Sequence, residues 1–153
     1  MAQTSPEHDA PLTARHHLEY AYRRSVGPVL GRFFAELRER RLVGVRTRAG
    51  RVLVPPSEYD PETGDATSEE FVSVGPGGTV KSFAWVSAPR AKQPLQHPFA
   101  YALIQLDGAD TALLHAVDAK SESRMRIGLR VRPRWREETR GEITDLACFE
   151  PEA

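Results

Sequence analysis

Residues 42–64, LVGVRTRAGRVLVPPSEYDPETG, decide how the chain is read. Two apolar runs, LVGVRT and RVLVPP, are joined by RAG, and Gly50 can take the left-handed backbone a tight turn needs, so the spacing predicts a hairpin. A second turn, DPETG, rests on Pro61 and Gly64. A hairpin this small buries too little apolar surface to stand alone and must lean on a neighbour. The acidic stretch SEYDPETGDATSEE then ends the unit, giving 42–69 as one domain.

Upstream, residues 1–13 are polar and aperiodic and are expected to form a disordered tail. In HHLEYAYRRS, Leu18, Tyr20 and Tyr22 alternate as in a strand, although one helical turn fits equally. From Ser25 the pattern is helical: Val26, Val29, Leu30, Phe33, Phe34 and Leu37 make one apolar stripe, with Ser25 as cap and Pro28 in the first turn. Residues 14–41 are therefore assigned to an N-terminal helical segment.

Downstream, residues 70–150 read as strands between turns. FVSVGPGGTVKSFAWVS is expected to be one long strand, bent at residues 75–78. FAYALIQL and DTALLHAVD form a hairpin around Asp107 to Asp110, where turn chemistry accounts for both aspartates. In RMRIGLRVRPRW, Met125, Ile127, Leu129, Val131 and Trp135 point one way and arginines the other. ITDLACF closes the set. Five strands, the first kinked by glycine, suit a small barrel of the oligonucleotide/oligosaccharide-binding (OB) type. The fold class is mainly β with an N-terminal helix.

A chain of 153 residues, 40% of them hydrophobic, can bury one real core. No apolar run is long enough to span a membrane, and the N-terminus lacks a secretory core, which places the protein in the cytoplasm. The single cysteine, Cys148, excludes an internal disulfide or a multi-cysteine metal site and reads as a packed small hydrophobe. Net charge is zero, but ten arginines fall between Arg15 and Arg51, whereas Glu58 to Glu70 holds six acids and no base. That asymmetry points to docking faces, or to a surface that neutralises itself in the fold.

Catalytic constellations are scarce. The histidines stand at no metal-ligand spacing, and GPGGT at 75–79 lacks the residues of a phosphate loop. His115 turns inward by parity with Leu113 and Val117, as a core or interface histidine; an acid-base role is the sharper alternative. The arginines of 124–136 could track a phosphate backbone, which makes a single-strand-binding barrel the competing reading. Trp135 faces the core, however, leaving no stacking platform beside them.

The order of these parts resembles a known family. A helix ending FFAELRERRLVG, a first turn, VLVPP, a second turn, GTVKSFAWV, HPFAYALIQLDG and IGLRVRPRW is similar to the acyl-CoA-associated proteins that join a rubredoxin-like zinc ribbon to an OB-fold. The resemblance implies that residues 42–69 are a degenerate zinc-ribbon hairpin. Arg46, Ala49, Asp60 and Thr63 stand at the four expected ligand positions, so zinc is predicted to be absent. Within the family, the ligand-free form is most similar to the accessory domain of actinobacterial steroid side-chain aldolases. It implies a non-catalytic partner of a thiolase-like, lipid-transfer-protein-type subunit, in a heterotetramer of two plus two. That subunit would carry the coenzyme A thioester and cleave a β-hydroxyacyl-CoA by retro-aldol chemistry to a ketosteroid and a short, propionyl-CoA-like product. No catalytic residue is assigned to this chain. Phe33, Phe34, Leu53, Pro55 and Pro56, with aromatics near Phe83, Trp85, Phe99 and Tyr101, are the interface candidates, and neither nucleic acid nor membrane is expected as a partner.

Overall fold

The structure, a computed structural model, describes residues 13–22 and 25–152. The first helix, α1 (Gly27–Arg38), buries Phe33 and Leu37, the centre of the predicted stripe. Ser25 Oγ accepts the Gly27 N–H at 3.2 Å, so the expected capping group works from one residue before the N-cap Val26. The helix stops at Arg38, and Arg40 takes a left-handed backbone at φ 56°. The disordered tail expected over residues 1–13 lies almost wholly outside the described residues.

Strands β1 (Val43–Arg46) and β2 (Val52–Leu53) form the expected antiparallel hairpin, Val45 opposite Leu53. A third strand, β3 (Phe71–Ser73), pairs with the other edge of β1. This corrects the single long strand expected over 71–87: the backbone breaks at Gly75–Gly77, so FVS joins the small sheet and only β4 (Gly78–Val86) enters the barrel.

The barrel closes through β4, β5 (Phe99–Leu106), β6 (Leu113–Val117), β8 (Leu146–Pro151) and β7 (Arg130–Trp135), in that spatial order. All pairings are antiparallel except the parallel β6 with β8, whose register pairs Val117 with Phe149. Five strands closed in this order make an OB-fold. The strand expected from Met125 begins only at Arg130. A left-handed Gly128 (φ 84°) turns the chain there, which leaves Ile127 70% exposed, not inward.

One core serves helix, sheet and barrel. Phe33, Leu37, Val43, Val52 and Val54 lie in the same buried cluster as Val80, Ile104, Leu106, Val131 and Phe149. The hairpin therefore leans on the barrel, as its size demanded. The β5–β6 turn is the fastening. Asp110 Oδ2 accepts the Val52 N–H at 2.7 Å and Thr111 Oγ1 accepts the Val54 N–H at 2.7 Å. The turn carries out more than the local role assigned to it from sequence. At the other end, Arg38 and Arg40 donate to the carbonyls of Arg140, Arg136 and Glu137, and Thr139 donates to the Arg38 carbonyl. Helix and barrel are thus tied directly.

Candidate functional site

The two turns of the hairpin region hold each other by charge and hydrogen bonds. Gly50 (φ 87°) and Gly64 (φ 75°) supply the left-handed positions, and the Gly64 N–H closes on the Asp60 carbonyl at 2.8 Å. Arg46 donates to Glu70 Oε1 at 2.9 Å and to the Gly50 carbonyl at 3.1 Å. Arg51 reaches from the first turn to the second, pairing with Glu62 and lying 3.8 Å from the buried Asp60. Asp60 Oδ1 also accepts the Glu62 N–H at 2.9 Å. Of the four positions singled out from sequence, Arg46 presents a cation, Ala49 no donor atom, Thr63 a neutral hydroxyl and Asp60 a carboxylate already engaged. That donor set does not fit zinc, which takes thiolate, imidazole or carboxylate ligands. Among the described residues, no group of three or more His, Cys, Asp or Glu side chains is placed to hold a metal ion.

Four of the six arginines of this face, Arg130, Arg132, Arg134 and Arg136, are engaged within the chain, while Arg124 and Arg126 stay exposed. Arg130 grips both oxygens of Asp107 at 2.6 Å and also reaches Glu152. Arg132 pairs with Glu150 at 2.9 Å, and Arg134 donates to Asp118 at 3.2 Å. Arg136 donates to the Thr144 carbonyl at 2.7 Å. A phosphate backbone would have to compete with these carboxylates, which weighs against the single-strand-binding reading.

Asp118 is the most concentrated charge site. It is 2% exposed at the end of β6, with Lys120 at 2.8 Å, Arg134 at 3.2 Å and His97 at 3.2 Å. Burial opposes its ionisation, but the hydrogen bonds and charges of Lys120 and His97 outweigh that and hold its carboxyl below the usual range. Beside it, burial pushes the Cys148 thiol up to about 11, the condition of an inert cysteine.

His115 is half-buried, its ring edge-on to Phe149 at 5.6 Å, and burial lowers its pKa. Its Nδ1 is enclosed without a hydrogen-bond partner, and no carboxylate among the described residues pairs with it. It lines an open groove of about 290 Å³ with Tyr101, Leu114, Ile143 and Leu146. General acid-base work needs an oriented, titrating imidazole. No carboxylate among the described residues orients the His115 ring, and its Nδ1 has no partner.

The interface candidates divide. Phe33 is 1% exposed, Leu53 2%, and Pro56 is buried. These three are consumed by the internal core and offer a partner no surface, because the stripe and hairpin pack on each other and on the barrel. Phe99 is buried likewise. Phe34, Phe83, Trp85 and Tyr101 are half-buried and Pro55 is exposed. Sequence reasoning missed what is most exposed. Among the described residues, Leu18, Tyr20, Tyr22 and Val26 account for four of the nine exposed large hydrophobic side chains, all within nine residues ahead of the helix. Their alternation was visible, but nothing in sequence told that the fold would leave them uncovered.

The class defined by these features is an OB-fold barrel carrying an N-terminal helix and a three-stranded sheet, with the arginines of β7 paired to acids from neighbouring strands and turns. Residues 71–136 match the family described as ChsH2, C-terminal OB-fold domain, in agreement with the resemblance seen in the sequence. Two solved structures share the fold. A chain of the Ltp2-ChsH2(DUF35) aldolase has a TM-score of 0.62 at 22% identity, over 84% of this chain and 98% of that one. A DUF35-family protein of unknown function from Sulfolobus solfataricus has a TM-score of 0.62 at 18% identity, over 83% and 85%. No curated protein matches the sequence.

Proposed function

We propose that the chain is a non-catalytic accessory subunit of a thiolase-like acyl-CoA enzyme of the Ltp2 type. The observation that carries this is the coincidence of two likenesses on one chain. The barrel matches the ChsH2 C-terminal OB-fold domain, and nearly the whole of an Ltp2-ChsH2 aldolase chain superposes on helix, sheet and barrel together.

In its finer form, the complex is a cytoplasmic heterotetramer of two plus two. Its thiolase-like subunit holds a coenzyme A thioester and cleaves a steroid β-hydroxyacyl-CoA to a ketosteroid and a short, propionyl-CoA-like acyl-CoA. This chain binds no cofactor. Its hairpin is a degenerate zinc ribbon in which the Arg51–Asp60–Glu62 contacts take over the work of tying two turns. Affinity capture with the full-length chain from its native cytosol tests the reading. A thiolase-like subunit recovered in equimolar amount, with retro-aldol turnover in the captured complex, is the expected result. Capture of no such subunit, or turnover by this chain alone, overturns it. Elemental analysis of the purified chain tests the ribbon: stoichiometric zinc contradicts the reading of Arg46, Ala49, Asp60 and Thr63.

A further inference from the structure

The outer face of β5 and β6 carries apolar side chains that the fold leaves uncovered. Leu103 and Leu114 stand opposite each other in the strand pairing and are 39% and 61% exposed, and Ile143, from the loop 136–145, is 39% exposed. Leu114 and Ile143 border the groove of about 290 Å³ that His115 lines. In an OB-fold the second and third strands, with the loops joining strands one to two and four to five, form the ligand-binding face. Here those strands are β5 and β6, and those loops are residues 87–98 and 136–145. The groove draws on all four, through Lys92, Tyr101, Leu114 and Arg136.

Charge selects the occupant. Lys92 and Arg136 line this groove and no acid does. Among the described residues neither cation has a carboxylate within ion-pair distance; Arg136 gives one N–H to the Thr144 carbonyl at 2.7 Å. His115, kept neutral at neutral pH by burial, adds no charge. Two other recesses differ, because each brings its own acids: Glu137, Glu138, Glu142 and Asp145 beside Arg140, and Glu58 and Glu69 beside Arg32. Arg136 also borders the first of these, so Lys92 is the cleaner cation to test.

We propose that the groove on the β5–β6 face is a binding site for a small organic carboxylate. The apolar body of the ligand lies against Tyr101, Leu114, Ile143 and Leu146, and its carboxylate faces Lys92 and Arg136. The volume is at the lower end of ligand pockets, which suits an acid of about ten heavy atoms and is too small for an oligonucleotide. The site stands whether or not the chain serves a thiolase-like subunit.

Equilibrium dialysis of the full-length chain against radiolabelled octanoate, with radiolabelled octanamide as the uncharged comparator, tests the site. Wild type is expected to bind one octanoate per chain, about three- to tenfold more tightly than the amide at low salt, and the preference should shrink as ionic strength rises. Lys92→Glu, at an exposed position, should remove most of that preference while leaving amide binding and the thermal midpoint unchanged. Leu114→Asp should weaken both probes at least about fivefold, its own thermal midpoint showing that it folds. No binding of octanoate, or equal binding of octanoate and octanamide by wild type, overturns the proposal. So does a Leu114→Asp chain that holds octanoate as wild type does, which puts the probe elsewhere. Displacement of the probe by an added thiolase-like subunit overturns it as well, because the groove is then a subunit interface.

Discussion

Asp118 shows how a single side chain fixes the barrel's chemistry. Its carboxylate is buried while Lys120 and Arg134 beside it are partly exposed, so replacing it leaves no stranded buried charge but loses the charge-assisted bonds from both. Asp118→Asn is expected to cost about 1–3 kcal/mol in urea unfolding at neutral pH. The pH dependence follows from direction. Asp118 and Asp145 both have folded-state pKa values below the ordinary 3.8, Asp145 because the N–H groups of Arg140, Glu142 and Gly141 outweigh the effect of burial. Carboxylates of lowered pKa stabilise the fold fully above the unfolded value and lose that contribution as pH falls through the folded one. Stability should therefore drop below about pH 4, and Asp118→Asn should shallow that acid limb. Cys148, fully buried with its thiol raised to about 11, should resist alkylation at pH 8 until the chain unfolds. Rapid labelling of the native protein would contradict its placement.

Among the elements, the hairpin depends on the β5–β6 turn more than on its own two-residue pairing. Asp110→Ala removes the acceptor of the Val52 N–H and should destabilise the protein by about 1–3 kcal/mol. Hydrogen exchange should show β2 amides opening first while the barrel strands stay protected. Gly44 reports the same junction. A Cβ there would lie 2.5 Å from Val52 Cγ1 and 2.9 Å from the Leu53 carbonyl, so Gly44→Ala should cost about 1–3 kcal/mol by calorimetry. The helix stripe, hairpin and barrel strands were legible in sequence because each is a local period. What was illegible depended on distant partners. The strand break at Gly75–Gly77 is decided by β1 offering an edge to Phe71–Ser73. Ile127 lost its inward parity because Gly128 turns where the alternation ran on. The arginine face looked free for phosphate since its acids, Asp107, Asp118, Glu150 and Glu152, arrive from other strands and turns. Phe33 and Leu53 looked like interface for the same reason: an apolar stripe does not announce which surface covers it.

At the scale of the whole molecule, charge and apolar surface separate. The folded body pairs the β7 arginines with its own acids and fully buries Phe33, Phe99 and Phe149, while Leu18, Tyr20, Tyr22 and Val26 stand exposed ahead of the helix. A body of this kind should bind single-stranded DNA weakly, with none of the steep salt dependence a phosphate-tracking groove gives, as a fluorescence anisotropy titration would show. No helix among the described residues is long and apolar enough to cross a membrane. The account instead makes another protein the missing surface. Sedimentation velocity of the chain alone and mixed with its thiolase-like subunit is the most direct measurement. The account predicts that the chain alone is poorly behaved and self-associating, and that the mixture resolves into one discrete species of two plus two. A chain that sediments as a stable monomer, unchanged by the subunit at any concentration, would contradict it.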